Sequence, residues 1–300
     1  MSNSMREKRY QVMINFILIL ITIIIILPFL LVFMSSITEE KLLVRNGYSF
    51  FPEEFSLYAY KYIIKQGEKI LHAYGVTVFI TIVGTFVNLA MSSMIAYPLS
   101  IRTLPFRRAI TFYVFFTMLF SGGLVPTYMM YVNSFHIKNT IWALIVPNLL
   151  LGANNVLMIR SYFMTNIPSA LLEAAKIDGA GYLKIFTSLV LPLGKPIMVT
   201  MGLFSGLAYW NDWTNGLYYL SGNEGQKLYS IQNLLNQMIN DIQYLSSGKL
   251  AGNIGSEVAK LPTTSVRMAI AFIAMVPLFI IYPFLQKYFA EGITLGAVKG

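Results

Sequence analysis

Long apolar windows, separated by segments rich in charge, Gly and Pro, set the pattern of this chain. Crossing the ~30 Å hydrocarbon core of a bilayer takes ~20 mostly apolar residues in a helix. Six windows reach that length with few or no charges: Val12–Met34, Tyr74–Tyr97, Ala109–Tyr131, Thr140–Ile159, Ile197–Leu220 and Met268–Tyr288. The first contains the run IIIILPFLLVFM around Pro28, a residue that buried spans tolerate better than soluble helices do. It is too long for a signal peptide, and no small-x-small cleavage site follows it, so it reads as a retained span. The pattern predicts an all-α integral membrane protein of six transmembrane helices in one domain over residues 1–300.

Composition agrees: 56% of the residues are hydrophobic and 12% charged, where soluble chains carry about 25% charge. The chain has no Cys, which removes disulfides, thiolate metal sites and Cys nucleophiles while leaving the redox compartment open. The net charge of +9 is a topology signal, because Lys and Arg gather in short cytoplasmic loops near span ends. Arg6, Lys8 and Arg9 precede the first span, and Arg102, Arg107 and Arg108 follow the second. Arg160, Lys176, Lys184 and Lys195 follow the fourth, and Lys287 and Lys299 lie at the end of the sixth and beyond it. The two long segments on the other side, 35–73 and 221–266, balance their charges. Both termini are therefore expected in the cytoplasm. Nucleic-acid binding is excluded as the reason for the charge, since the basic residues are spread over three loops and a tail.

Between the fourth and fifth spans lies a cytoplasmic loop, 160–196, longer than a turn between neighbouring spans requires. Pro168 presets a first helical turn, Ala170–Ile177 are mostly good helix formers, and Gly179 and Gly181 stop the helix. A second helix is expected from Tyr182 to Val190, broken by Leu193, Gly194 and Pro196. On the first helix Ala170, Glu173, Ala174 and Ile177 share a face. Small side chains there allow close approach of another protein, and Glu173 offers one charge-assisted contact that fixes register. A helix resting on the inner leaflet would instead show a broad apolar face rimmed by Lys and Arg.

This segment resembles the EAA loop of ABC importer permeases, whose pattern is E-A-A, three residues, G, nine residues, I, one residue, L-P. Here Glu173-Ala174-Ala175 is followed by Gly179, then Leu189, then Leu191-Pro192, so every spacing holds and Leu replaces Ile. Asp178-Gly179-Ala180 before Phe186, and LPLGKP at Leu191–Pro196, are similar to the carbohydrate-uptake branch. The C-terminal Thr294–Gly300 is similar to the tail of the maltose-type second permease. The segments FSGG at Phe120–Gly123 and VPTY at Val125–Tyr128 resemble permeases for complex or acidic oligosaccharides. The resemblance implies the type I ABC importer permease fold in a bacterial cytoplasmic membrane. It also implies a second homologous permease as heterodimer partner, a dimer of ATPase subunits and an extracytoplasmic sugar-binding protein. Glu173, Ala174, Ala175, Asp178, Gly179 and Ala180 would seat in the ATPase, and Gly296, Ala297, Val298, Lys299 and Gly300 would touch the ATPase dimer. The chain has no G-x-x-x-x-G-K-[ST] run, so no cofactor is expected in it, and ATP with Mg belongs to the partner.

Polar groups inside spans are costly and usually face a cavity or a partner. Asp212 is the only acidic residue in the six windows, and it sits in the run Tyr209-Trp210-Asn211-Asp212-Trp213. Aromatic rings with amide and carboxylate groups suit a sugar, which stacks its C–H faces and offers hydroxyls; an interfacial aromatic belt has the same composition. Asn154 and Asn155 fit either the pathway or interhelical hydrogen bonding. Ser121-Gly122-Gly123 breaks the third span, lining the path at Gly122 or kinking the helix for packing. Leu228, Ile231, Leu235, Met238 and Ile242 form an apolar stripe for the binding protein or for the outer leaflet. His72 and His136 lie in or beside outer loops without ligand-spaced companions, so no metal site is expected. An ion-coupled secondary carrier is the rival in transport, but it would need more buried charge than Asp212 and has no use for a docking loop. A membrane-embedded enzyme would need a catalytic constellation, and none of G-x-S-x-G, H-E-x-x-H or paired carboxylates is present.

Overall fold

The computed structural model describes residues 2–65, 67–246, 264–277, 279–280 and 283. They are mostly helical, and the single β pairing among them is the isolated antiparallel bridge of Thr38 with Phe55. From the N-terminus run α1 (Ser2–Ser36), α2 (Glu40–Asn46), α3 (Tyr58–Lys65) and α4 (Gly67–Ser100). Then α5 (Arg107–Leu119) precedes α6 (Leu124–Met129), which continues into a π turn at Met130–Ser134. Next come α7 (Trp142–Ile145), α8 (Ala153–Asn166) and α9 (Ser169–Ile177). α10 (Tyr182–Ile185), a π turn (Phe186–Val190) and the single turn α11 (Leu191–Leu193) lead into α12 (Lys195–Asn211). α13 (Thr214–Tyr219), α14 (Gly222–Gln226), α15 (Ile231–Ser246) and α16 (Thr264–Pro277) complete the order.

The large apolar side chains of α1 from Val12 to Leu30 are nearly all exposed, on every side of the helix. Only hydrocarbon solvates such a surface without penalty. Among the described residues, α1 from Lys8 and α4 are each long and apolar enough to cross a membrane. Two bent pairs raise that number to four if each is one span: α5 with α6 at 110°, and 182–193 with α12 at 78°. The first bend is where Gly and Pro predict it, with Gly123 at φ +83°. At the second, the Phe163 ring occupies the place that a Cβ on Gly194 would take. Of the sixth window, α16 covers the first part, and most of the remainder lies outside the described residues.

The fourth window departs from one continuous helix. α7 ends at Ile145, α8 begins at Ala153, and between them Pro147 is followed by Asn148 in the left-handed region at φ +61°. Such a break frees carbonyls, which in a bilayer must find donors within the protein. Side chains supply them. Tyr209 Oη donates to Ile145 O at 2.9 Å, Asn215 Nδ2 to Pro147 O at 3.0 Å, and Asn88 Nδ2 to Leu149 O and Leu150 O at 2.8 and 3.1 Å.

The chain divides into two compact units, 1–69 with 235–278, and 70–234 with 279–300. In the first, Ser36 Oγ and Tyr60 Oη share a hydrogen bond of 2.7 Å, and the Phe33 and Phe272 rings lie 4.8 Å apart. The Glu40 carboxylate accepts from Thr264 N at 2.8 Å and from Ser265 N and Oγ at 2.7 Å each, so it caps the N-terminus of α16. In the second unit α4 and α12 approach closely because Gly84 leaves room for the Tyr209 ring. One apolar cluster joins Tyr97, Phe163, Phe186, Ile197 and Met201, and another joins Ile80, Leu144, Ile145 and Tyr219.

Candidate functional site

The residues of the 160–196 loop fold as a short helix laid on a core. α9 starts at Ser169, with Pro168 in the N-cap position and extended rather than inside the first turn. Its C-terminus closes by a Schellman arrangement: Ala180 N bonds Ala175 O at 2.9 Å and Gly179 N bonds Lys176 O at 3.0 Å. Gly179 carries φ +80°, which a residue with a Cβ adopts only under strain. The expected second helix contains the π turn Phe186–Val190 and ends at Gly194.

Leu172, Ala175 and Ala180 pack against the cluster of Phe163, Ile185 and Phe186. The opposite face carries Ala170, Glu173, Ala174 and Ile177, all exposed, with Ile177 at 86%. Asp178 and Gly179 are exposed beside it. Lys176 stays over the Tyr182 ring at 5.1 Å from its centroid, which holds its charge to one side. The result is a rigidly backed, small-residue face with one carboxylate. Gly296, Ala297, Val298, Lys299 and Gly300 lie outside the described residues.

The run at 209–213 divides. Tyr209 is 1% exposed and Trp210 is 5%, so both are core side chains. Asn211 is exposed and its Nδ2 returns to Leu207 O of its own helix, while Trp213 is exposed. Asp212 Oδ1 accepts from Thr214 N at 3.1 Å and Asn215 N at 3.3 Å and thereby starts α13. Its Oδ2 is buried with no hydrogen-bond partner among the described residues. Asn154 is exposed at the start of α8, and Gly122 is exposed at the break between α5 and α6.

Asn155 belongs to a polar network. Its Nδ2 donates to Asn88 Oδ1 at 2.8 Å and Ser205 Oγ at 2.9 Å, and Ser205 Oγ donates to Asn88 Oδ1 at 3.0 Å. These bonds fix Asn88 so that its amide nitrogen faces the carbonyls freed at 149–150. Sequence reasoning passed over Asn88 and Ser205; the signal was an Asn at the middle of the second apolar window and a Ser between Gly202 and Gly206. Within the apolar stripe Ile231, Leu235 and Met238 are buried and Leu228 is partly buried. His72 lies on α4, where its Nε2 shares a hydrogen bond with Lys227 O at 2.8 Å, and His136 sits at φ +52°. No group of three His, Cys, Asp or Glu suited to a metal occurs among the described residues.

Residues 5–295 match the family described as "Binding-protein-dependent transport system inner membrane component". The polygalacturonan/rhamnogalacturonan transport system permease protein YtcP of Bacillus subtilis (strain 168) is 38% identical over 299 residues, covering 99% of this chain and 100% of that protein. Protein LplC of the same organism is 38% identical over 277 residues, 92% of this chain and 90% of that one. Among solved structures, the crystal structure of a bacterial ABC transporter involved in the import of the acidic polysaccharide alginate contains a similar chain. It superposes with a TM-score of 0.75 and 27% identity, covering 95% of this chain and 98% of that one.

Proposed function

The chain belongs to the family of binding-protein-dependent transport system inner membrane components, and from that premise we propose that it is the permease of an ATP-driven importer for an oligosaccharide. It is a membrane protein with the ABC importer permease fold, and its family is one of transport permeases rather than enzymes. The sugar is inferred from the relatives, whose names give polygalacturonan/rhamnogalacturonan for one and alginate for another.

In this reading six spans form one permease domain in a bacterial cytoplasmic membrane, with both termini cytoplasmic. The bent pair α5 with α6 is one span, α12 carries another beyond the bend at Gly194, and the broken segment from α7 to α8 is another. Residues 35–73 and 221–266 lie outside, and 160–196 lies inside. A second homologous permease completes the pathway, an extracytoplasmic binding protein delivers the sugar, and a separate ATPase dimer holds ATP and Mg.

The observation that carries the coupling role is the exposure of Ala170, Glu173, Ala174 and Ile177 on a helix whose other face is anchored. A groove in the ATPase would take this face together with the exposed Asp178 and Gly179, while Ala175 and Ala180 back it from the core side; the 296–300 tail would touch the same dimer. On the pathway, the exposed Asn211, Trp213 and Asn154 are the polar and aromatic groups available to a sugar, beside the exposed backbone at Gly122; Asp212, whose Oδ2 is buried, stands behind them. Tyr209, Trp210 and Asn155 support them from the core.

Copurification tests the assembly: the tagged chain should bring ATPase subunits with it, and uptake of labelled oligosaccharide should require ATP. Transport by the chain alone on an ion gradient would establish a secondary carrier instead. Because the chain has no Cys, single Cys at Asn211 and at Gly122 can be probed with a polar thiol reagent. Labelling that sugar slows is expected; two unreactive positions would remove both from the path.

A further inference from the structure

Three arginines meet where α5 packs against α8. Arg107, Arg108, Thr111, Phe112, Phe115 and Arg160 line a cleft of about 310 Å³. Its lining contains no acidic residue, and none of the three arginines has a carboxylate partner among the described residues. Like charges converging on one cleft repel unless an anion sits between them. Hydrogen bonding points the same way: Arg107 Nη1 and Thr111 Oγ1 are both buried without a partner among the described residues. Arg160 is held by Nε, which donates to Leu99 O at 2.9 Å, so its outer nitrogens remain for a ligand. Buried donors left unpaired in this way are costly.

We propose that this cleft binds the phosphate of an anionic phospholipid. Guanidinium groups match phosphate oxygens by paired N–H donors, and a neighbouring hydroxyl adds a donor. The apolar side of the cleft decides the source. Phe112 and Phe115 continue from the arginines along α5, 65% and 43% exposed, in the direction in which acyl chains would run. A free phosphate has no use for that side; a lipid headgroup with its chains uses both. Basic pockets between spans on the cytoplasmic face are suited to anionic headgroups, and the surface potential there adds to the attraction. The inference rests on the reading that Arg107 and Arg160 both lie at the cytoplasmic membrane boundary.

Native mass spectrometry of the full chain in detergent tests it, with dioleoylphosphatidylglycerol, dioleoylphosphatidylcholine and inorganic phosphate as probes. Phosphatidylglycerol should bind at least about tenfold more tightly than phosphatidylcholine, and inorganic phosphate at equal concentration should not displace it. Arg107→Gln and Arg160→Gln should each weaken phosphatidylglycerol about fivefold, and the triple change with Arg108→Gln about a hundredfold. Arg102→Gln, outside the cleft, should change nothing. If the triple variant does not remain monodisperse, Arg108→Gln alone decides, since that side chain is exposed. Equal binding of the two lipids, equal binding of inorganic phosphate, or the same loss from Arg102→Gln overturns the proposal. The measurement is independent of uptake, so a chain that binds the lipid but brings no ATPase counts against the transport reading alone.

Discussion

The helix at 169–177 and the run at 209–213 are both dense in chemically suggestive residues, yet they use them in opposite ways. On α9 the side chains that anchor the helix, Leu172 and Ala175, are distinct from those on its free face, Glu173, Ala174 and Ile177. At 209–213 three of the five groups are built into the scaffold: Tyr209 fills the space over Gly84 and bonds Ile145 O, Trp210 is buried, and Asp212 starts a helix, while Asn211 and Trp213 stay exposed. A side chain that satisfies a freed carbonyl cannot also release a sugar. The comparison separates contact surfaces from scaffolding, and it predicts that damage on α9 appears in transport, whereas damage around Tyr209 appears in stability.

The largest effect falls on the scaffold. Gly84→Val drives a side chain into the Tyr209 ring and should cost about 3 kcal/mol in detergent-unfolding stability; an unchanged midpoint would erase the contrast with α9. Asn88→Leu removes the donor to Leu149 O and Leu150 O and should cost about 2 kcal/mol, with Asn88→Ser recovering only part. On the other side of the comparison, Glu173→Lys should lower ATP-dependent uptake about tenfold, equivalent to about 1.4 kcal/mol, while the unfolding midpoint stays in place. A matching fall in stability would mean that α9 is scaffold too.

The smallest effect is a pH dependence in the other unit. Half-burial of Glu40 alone would raise its pKa, but the N–H groups of Ser265 and Thr264 and the Ser265 hydroxyl outweigh it and hold the carboxyl below the ordinary range. A carboxylate depressed in the folded state contributes stability that is complete above its unfolded pKa. That contribution is lost as pH falls through the folded value. With half the group exposed, the contribution is below about 1 kcal/mol. Unfolding followed from pH 7 into the acid range should show this loss, and Glu40→Gln should flatten it.

Much of this architecture was legible from local chemistry. Apolar length located α1 and α4, Gly122-Gly123 and Gly194 marked both bends, and Gly179 marked the end of α9. The face of α9 followed from helical spacing alone, because its pattern is local. The break between α7 and α8 was missed as an interruption, although Pro147, Asn148 and Gly152 are turn residues, because hydropathy sums over them. Nothing near those residues reveals what completes the break. Its donors come from Asn88, Tyr209 and Asn215, which are 61 to 68 positions away. Polar side chains in apolar windows identify partners only once the fold brings them together.

Glu40 has one further consequence, for the order of assembly. Its partners at Ser265 are 225 positions downstream, so a ribosome has released Glu40 long before the groups that complete its bonds exist. The unit that contains Glu40 therefore cannot close until residues 264 and 265 have been made. A product truncated ahead of Thr264 contains every residue of the 209–213 run and the whole of α9, yet lacks the groups that latch Glu40.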